Sequence, residues 1–298
     1  GFTVQTMAQF GYSVVFFTAA MAVAFRPEKL TDRLGKILCP TLLVLISVIF
    51  IGCLVWPMGH YGDPGSVYKS GPAVAGFLEG YQTMDTIAAL NFGIIIAINI
   101  RAKGVEQEGA IVGETIKAGI IAGILLALIY AALAHIGAPA GAAARGMDNG
   151  ARILTYVAGN LFGNAGMMIL GLIFLIACFN TCVGLLSCCS QYFNSIIPVI
   201  GYRVWVFLFA LISLIISSAG LNKILAVSVP VLNAIYPIAI VLIVLAFLGP
   251  LTKRWPAMYP AAILFTGAVS VVYALEQSKF VIPFLTQATT FLPGYGAG

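Results

Sequence analysis

An all-helical, multi-pass membrane protein is the fold class this sequence predicts, and three observations predict it. Of 298 residues, 61% are hydrophobic and only 8% are charged, against about 25% charged in soluble globular domains. The apolar residues gather into eight runs, each near the roughly 20 residues a helix needs to cross a bilayer. The lysines and arginines stand between those runs, and unevenly. A chain so poor in charge cannot clothe a water-facing surface, so the net charge of +5 does not argue for nucleic acid. What matters is the side of the membrane on which the positive charges stand.

The predicted spans are 7–25, 37–57, 79–100, 116–137, 165–193, 203–220, 225–248 and 256–275, taken as one transmembrane domain over residues 1–298. The first, "MAQFGYSVVFFTAAMAVAF", is followed by the basic stretch "RPEKLTDRLGK" (26–36). Leu30, Leu34 and Ile37 recur there at helical spacing, which reads as a short amphipathic helix or as a plain solvated loop. The second span is uniformly apolar, and the third is not. The fourth, "IKAGIIAGILLALIYAALAHIG", the sixth and the eighth are apolar apart from residues near their ends. The long connections 58–78 and 138–164, rich in Gly, Ala, Pro and Asp, are expected to be loops.

The charges orient these spans. Connections after the odd-numbered spans hold Arg26, Lys29, Arg33, Lys36, Arg101, Lys103, Lys117, Arg203, Lys253 and Arg254. The remaining connections and the tail hold Lys69, Arg145, Arg152, Lys223 and Lys279. Cytoplasmic loops carry the excess of Lys and Arg, so the first span runs inward. An inward first span implies an odd number of earlier spans, and with no basic leader before it the sequence is expected to be a fragment.

Three spans carry features an inert membrane anchor has little use for. Interrupted helices expose backbone groups at mid-membrane, where transporters bind substrates and ions. In the third span, "GFLEGYQTMDTIAALNFG" (76–93), Gly76, Gly80 and Gly93 bracket Glu79, Tyr81, Gln82, Thr83 and Asp85. A charge at the bilayer centre costs about 3 kcal/mol on insertion scales, so an acid at the depth of Asp85 is a functional candidate. Glu79 fits equally well at the outer interface. In the fifth span, Ala177, Asn180 and Thr181 share one helical face and could offer hard oxygens to an alkali cation. Small-residue packing with interhelical hydrogen bonds accounts for the same face. In the seventh, Pro230 and Pro237 interrupt the backbone ladder near Ser228 and Asn233.

The six cysteines, Cys39, Cys53, Cys178, Cys182, Cys188 and Cys189, lie in apolar runs without metal-like spacing and read as packing residues. His60 and His135 form no cluster. The sequence has no glycine-lysine phosphate loop, no HExxH pair, no TVGYG filter and no arginine-repeat voltage sensor. Active transport would therefore use an ion gradient. A membrane-embedded enzyme with Asp85 and Glu79 as acid and base is the rival from another class, and it lacks a second polar cluster.

"GYQTMDTIAALNFG" (80–93) resembles the signature of the branched-chain amino acid transport system II carriers, the BrnQ-type symporters of bacteria. "RPEKLTDRLGKILCPTLL" (26–43), "YVAGNLFG" (156–163), "IACFNTCVGLLSCCSQYF" (176–193) and "SVPVLNAIYP" (228–237) extend the resemblance in order and spacing. It implies a LeuT-like inverted-repeat bundle of twelve spans, of which this sequence holds the fourth to the eleventh. It implies a multi-pass protein of the bacterial inner membrane that imports leucine, isoleucine and valine with sodium, with no cofactor and no bond chemistry. Span 79–100 becomes a broken helix whose Tyr81, Thr83, Met84 and Asp85 line the substrate site. Ala177 and Thr181, with Asn180 less typical of the family, become the sodium ligands. Two roles stay open for Asp85, ammonium partner or proton-sensitive acid, so a proton-coupled permease of the same fold is the alternative.

Overall fold

The computed structural model describes residues 4–25, 34–57, 61–81, 83–141, 146–147, 149–249, 255 and 257–277. Among them the secondary structure is helical throughout. The helices are α1 (Val4–Ala24), α2 (Cys39–Val55), α3 (Ser66–Ser70), α4 (Pro72–Tyr81), α5 (Asp85–Ala102), α6 (Glu108–Ala140), α7 (Gly150–Ile196), α8 (Tyr202–Ser217), α9 (Leu221–Phe247) and α10 (Met258–Gln277). A π-helical turn, Leu34–Leu38, leads into α2. Six described helices are long and apolar enough to cross a membrane, and the bent pair α4–α5 makes a seventh. The protein is a polytopic helical membrane protein. Every predicted span has a helix, but several edges move.

The region expected to be a loop at 138–164 is largely helical. α6 runs on to Ala140, and α7 begins at Gly150 and is divided only at Gly163, where φ is 55° and ψ −133°. Ile153, Leu154, Val157, Ala158 and Leu161 recur on one side of the segment before Gly163 and pack against α2, α6 and the rest of α7. That helical period lies inside a stretch dominated by Gly and Ala, whose composition reads as loop. The connection 58–78 likewise contains α3 and most of α4. The sixth predicted span, 203–220, stops at Ser217, because Ser217 and Ser218 bond back to Leu214 and Ile215 and Gly220 turns at φ 86°. Its 16 residues are about 24 Å long. Residues 26–33 of the basic stretch, His60 and the tail after Gln277 lie outside the described residues.

The chain forms two compact units. In the first, residues 1–63 and 95–222, α7 is the common axis of two clusters. Toward its N-terminal end, Val157, Ala158, Leu170 and Ile173 bury themselves with Ile49 and Cys53 of α2 and Ile136 and Ala140 of α6. Toward its other end, Val183 and Leu186 pack with Ala20 and Ala24 of α1 and Val206 and Ala210 of α8. The Ala20/Ala24 spacing is the small-residue pattern that lets membrane helices approach closely. Tyr202 of α8 closes this cluster by donating to the Ala24 carbonyl at 2.7 Å, where α1 has run out of its own donors.

The second unit, residues 64–94 and 223–298, holds α3, α4, the start of α5, most of α9 and α10. α9 keeps a helical course through both Pro230 and Pro237. Each proline removes one backbone donor. α10 binds the helix between them, where the Ser270 hydroxyl donates to the Ala234 carbonyl at 2.9 Å. Leu232, Tyr236 and Ala239 of α9 are buried in this unit.

Candidate functional site

The third span is interrupted between Tyr81 and Asp85. α4 ends at Tyr81, α5 begins at Asp85, and the two helices are bent by 49°. The local cause lies in the residues between them. Thr83 folds back on the end of α4: its amide and its hydroxyl both donate to the Gly80 carbonyl, the hydroxyl at 2.8 Å. Met84 then takes φ 64°, the left-handed region, and its carbonyl accepts the first bond of α5 from the Ala88 amide at 3.0 Å. Among the described residues, Met84 alone adopts positive φ without being glycine. A bulky residue held in that region is strained by about 1–3 kcal/mol, and such strain clusters at binding sites.

An opened helix leaves carbonyls at one lip and amides at the other with no partner inside their own helix. Here the carbonyl lip is the end of α4 and the amide lip is the start of α5. The amide lip is the positive end of a helix dipole and draws carboxylates, while the carbonyl lip draws an ammonium. Asp85 stands at the first position of α5, half-buried, and Thr83 and Met84 are exposed. Tyr81 closes α4. Gln82 lies outside the described residues. Glu79, the other acid of the run, is exposed on α4.

One buried polar residue of the same compact unit carried no sign in the polar run itself. Tyr236 of α9 is 1% exposed. The stretch "SVPVLNAIYP" attracts notice for its prolines; the signal for Tyr236 is the tyrosine between them. A phenol buried at mid-span needs a polar partner for its hydroxyl.

The second candidate set belongs to the first unit. Ala177, Asn180 and Thr181 lie on α7, which runs without a break from residue 164 to 196. Ala177 and Asn180 are half-buried and Thr181 is exposed. The Asn180 amide donates to the Cys39 sulfur at 3.6 Å, so its nitrogen is engaged with the start of α2 while its carbonyl oxygen keeps its lone pairs. Thr181 hydroxyl and Ala177 carbonyl are the remaining hard oxygens of the face. Beside it, Tyr12 and Phe16 of α1, Ile37 of the π turn, and Leu175, Ile176 and Phe179 of α7 help line a cavity of 670 Å³. That lining is almost wholly apolar and offers no group to hold the two charges of an amino acid.

Among the described residues, no three His, Cys, Asp or Glu side chains gather as a metal centre. The six cysteines form no disulfide.

The family model described as "Branched-chain amino acid transport protein" matches residues 2–298. Branched-chain amino acid permease BraB of Bacillus subtilis is 39% identical over 269 residues, 90% of this chain and 60% of its own length. The branched-chain amino acid transport system 2 carrier protein of Pseudomonas aeruginosa is 36% identical over 268 residues, 90% of this chain and 61% of its own. Branched-chain amino acid permease BrnQ of Corynebacterium glutamicum is 40% identical over 282 residues, 95% and 63%. The chain thus spans about three fifths of the length of these curated relatives. No solved structure matches it significantly.

Proposed function

The chain belongs to the branched-chain amino acid transport protein family, and from that premise we propose that the protein containing it is a secondary transporter importing leucine, isoleucine and valine. The observation that carries this reading is the strained opening of an apolar span at Met84, beside Asp85. A zwitterionic amino acid presents an ammonium and a carboxylate a few ångströms apart. The two lips of the break present complementary partial charges at the same scale. Asp85 and the end of α4 face the ammonium, and the first amides of α5 face the carboxylate. Tyr81, Thr83 and Met84 complete the wall, and the apolar character of the surrounding span suits an aliphatic side chain.

In this reading the protein is a multi-pass protein of the bacterial inner membrane with the LeuT-like inverted-repeat plan. It works by alternating access and changes no chemical bond. Sodium is the coupling ion, held by Ala177 and Thr181 with the Asn180 carbonyl oxygen. Sodium binding and substrate binding favour the same conformational state, which is what coupling requires. No cofactor takes part. Asp85 supports a second reading, coupling to protons, because an acid at the substrate site can carry one.

One experiment separates the two. Leucine uptake by the full-length carrier is measured in proteoliposomes with sodium present and with sodium replaced by choline. Uptake is expected to fall to background without sodium. Undiminished uptake there, with sensitivity to a proton gradient, would overturn the sodium version and leave the permease.

A further inference from the structure

We infer that Cys39 is a positioning residue for the cation face of α7: its sulfur holds the Asn180 amide nitrogen and leaves the carbonyl oxygen as the group presented to an ion. This rests on the reading of Ala177, Asn180 and Thr181 as the sodium ligands.

The contact is direct, with the Asn180 nitrogen donating to the Cys39 sulfur at 3.6 Å. Both residues are half-buried and belong to the same compact unit. An asparagine side chain carries two donors at one end and an acceptor at the other. A hard cation is held by oxygen, so only the second end can bind it. A side chain free to turn presents either end. Tying the nitrogen to a neighbouring helix removes the wrong orientation, along with rotamer freedom that ion binding would otherwise have to freeze.

An irregular helix start puts Cys39 in this place. The π-helical turn Leu34–Leu38 runs directly into it, and such turns are frequent at functional sites. Pro40 follows and brings no backbone donor. The Thr41 hydroxyl donates to the Ile37 carbonyl at 2.7 Å and binds the turn to the first residues of α2. Farther along, Ile49 and Cys53 hold α2 against α7 by apolar packing. At the start of α2 the amide–sulfur bond is added to that packing. An ion on the Asn180 oxygen polarises the same amide and strengthens its bond to the sulfur. Occupancy of the cation face is thereby linked to the start of α2 through one side chain.

The test titrates sodium into the purified full-length carrier in detergent and reads the rise in melting temperature, which follows ion binding without transport. Leucine uptake in proteoliposomes at varied sodium gives the second reading. Cys39→Ala should raise the sodium concentration for half-effect about threefold in both, the size of one weak hydrogen bond. Vmax at saturating sodium should stay within about twofold of the parent. Cys39→Ser keeps an acceptor and should bring the half-effect concentration back to about the parent value. In an N180A background, C39A should leave it nearly unmoved, because the amide it orients is gone.

An unchanged sodium dependence in C39A overturns the inference. So does an equal change in the N180A background, or a serine no better than alanine; either makes Cys39 a packing residue. Should C39A fail to insert, Cys39→Val, which fills the space without an acceptor, carries the same expectations. If sodium neither raises the melting temperature of the parent carrier nor supports its uptake, the sodium reading itself fails, and the role of Cys39 with it.

Discussion

Two helices of this protein are interrupted, and the two interruptions are built differently. α7 turns at Gly163, with φ 55° and ψ −133°, a conformation that side-chain-bearing residues rarely adopt. The reversal is locked by packing: Gly166 sits against the Ala158 carbonyl so closely that a Cβ there would collide with it. The other interruption, at Met84, uses comparable left-handed backbone but places a full side chain on it. Glycine makes the first turn cost nothing in strain, so the packing around it does not have to offset a costly backbone. Methionine makes the second turn costly, so neighbouring groups must hold it, and whatever alters those groups can alter the turn. The first is architecture; the second has the properties of a site.

The largest effect that tests this contrast is expected at Asp85. Asp85→Asn in the intact carrier should cut leucine uptake by about tenfold or more, as loss of a partly buried charged partner does. Membrane insertion, read by fractionation, should be normal. Uptake at the parent level would make Asp85 a helix-capping acid and remove the functional half of the comparison.

The architectural turn should respond in stability rather than transport. Gly166→Ala forces a methyl group onto the Ala158 carbonyl and should cost about 1–3 kcal/mol. Gly163→Ala meets no atom within 4 Å, so its cost, also about 1–3 kcal/mol, is purely conformational. Thermal melting of the purified carrier in detergent measures both. A melting temperature unmoved by Gly163→Ala would mean that the turn is not confined to glycine.

The smallest effect sharpens the Met84 side. Met84→Gly should leave melting within about 1 kcal/mol of the parent, since relief of strain and the greater freedom of unfolded glycine offset each other. Met84→Ile, β-branched at positive φ, should cost about 1–3 kcal/mol more than the glycine variant. Equal stability of the two would show that the backbone at residue 84 carries no strain.

The break between Tyr81 and Asp85 was legible because its cause is local. Two acids, hydroxyls and an amide inside an apolar run cannot be desolvated cheaply, and Gly80 beside them lets the helix end. The helix at 150–162 was harder to see: its period of Ile153, Leu154, Val157, Ala158 and Leu161 is buried by partners as distant in sequence as Ile49 and Ile136. Glycine and alanine around that period read as loop until those partners are known. Tyr236 was hidden for a similar reason. Nothing within "SVPVLNAIYP" tells that Tyr236 is its most deeply buried residue.

By itself, the sequence determined that this is a bundle of membrane helices, roughly where each one lies, and that one of them opens at residues 81–85. Those properties follow from conditions each segment meets alone. A span must satisfy its own backbone bonds in hydrocarbon and must be about 20 residues long, and both demands are written in local composition. Only the tertiary structure decided that α7 kinks at Gly163 and packs against α2 and α6, that Asn180 turns its amide to Cys39, and that Tyr236 is buried. Lipid is as apolar as the helices it surrounds, so hydrophobicity does not say which helix faces meet. Close packing and a few buried hydrogen bonds settle that, and they exist only once the chain has folded.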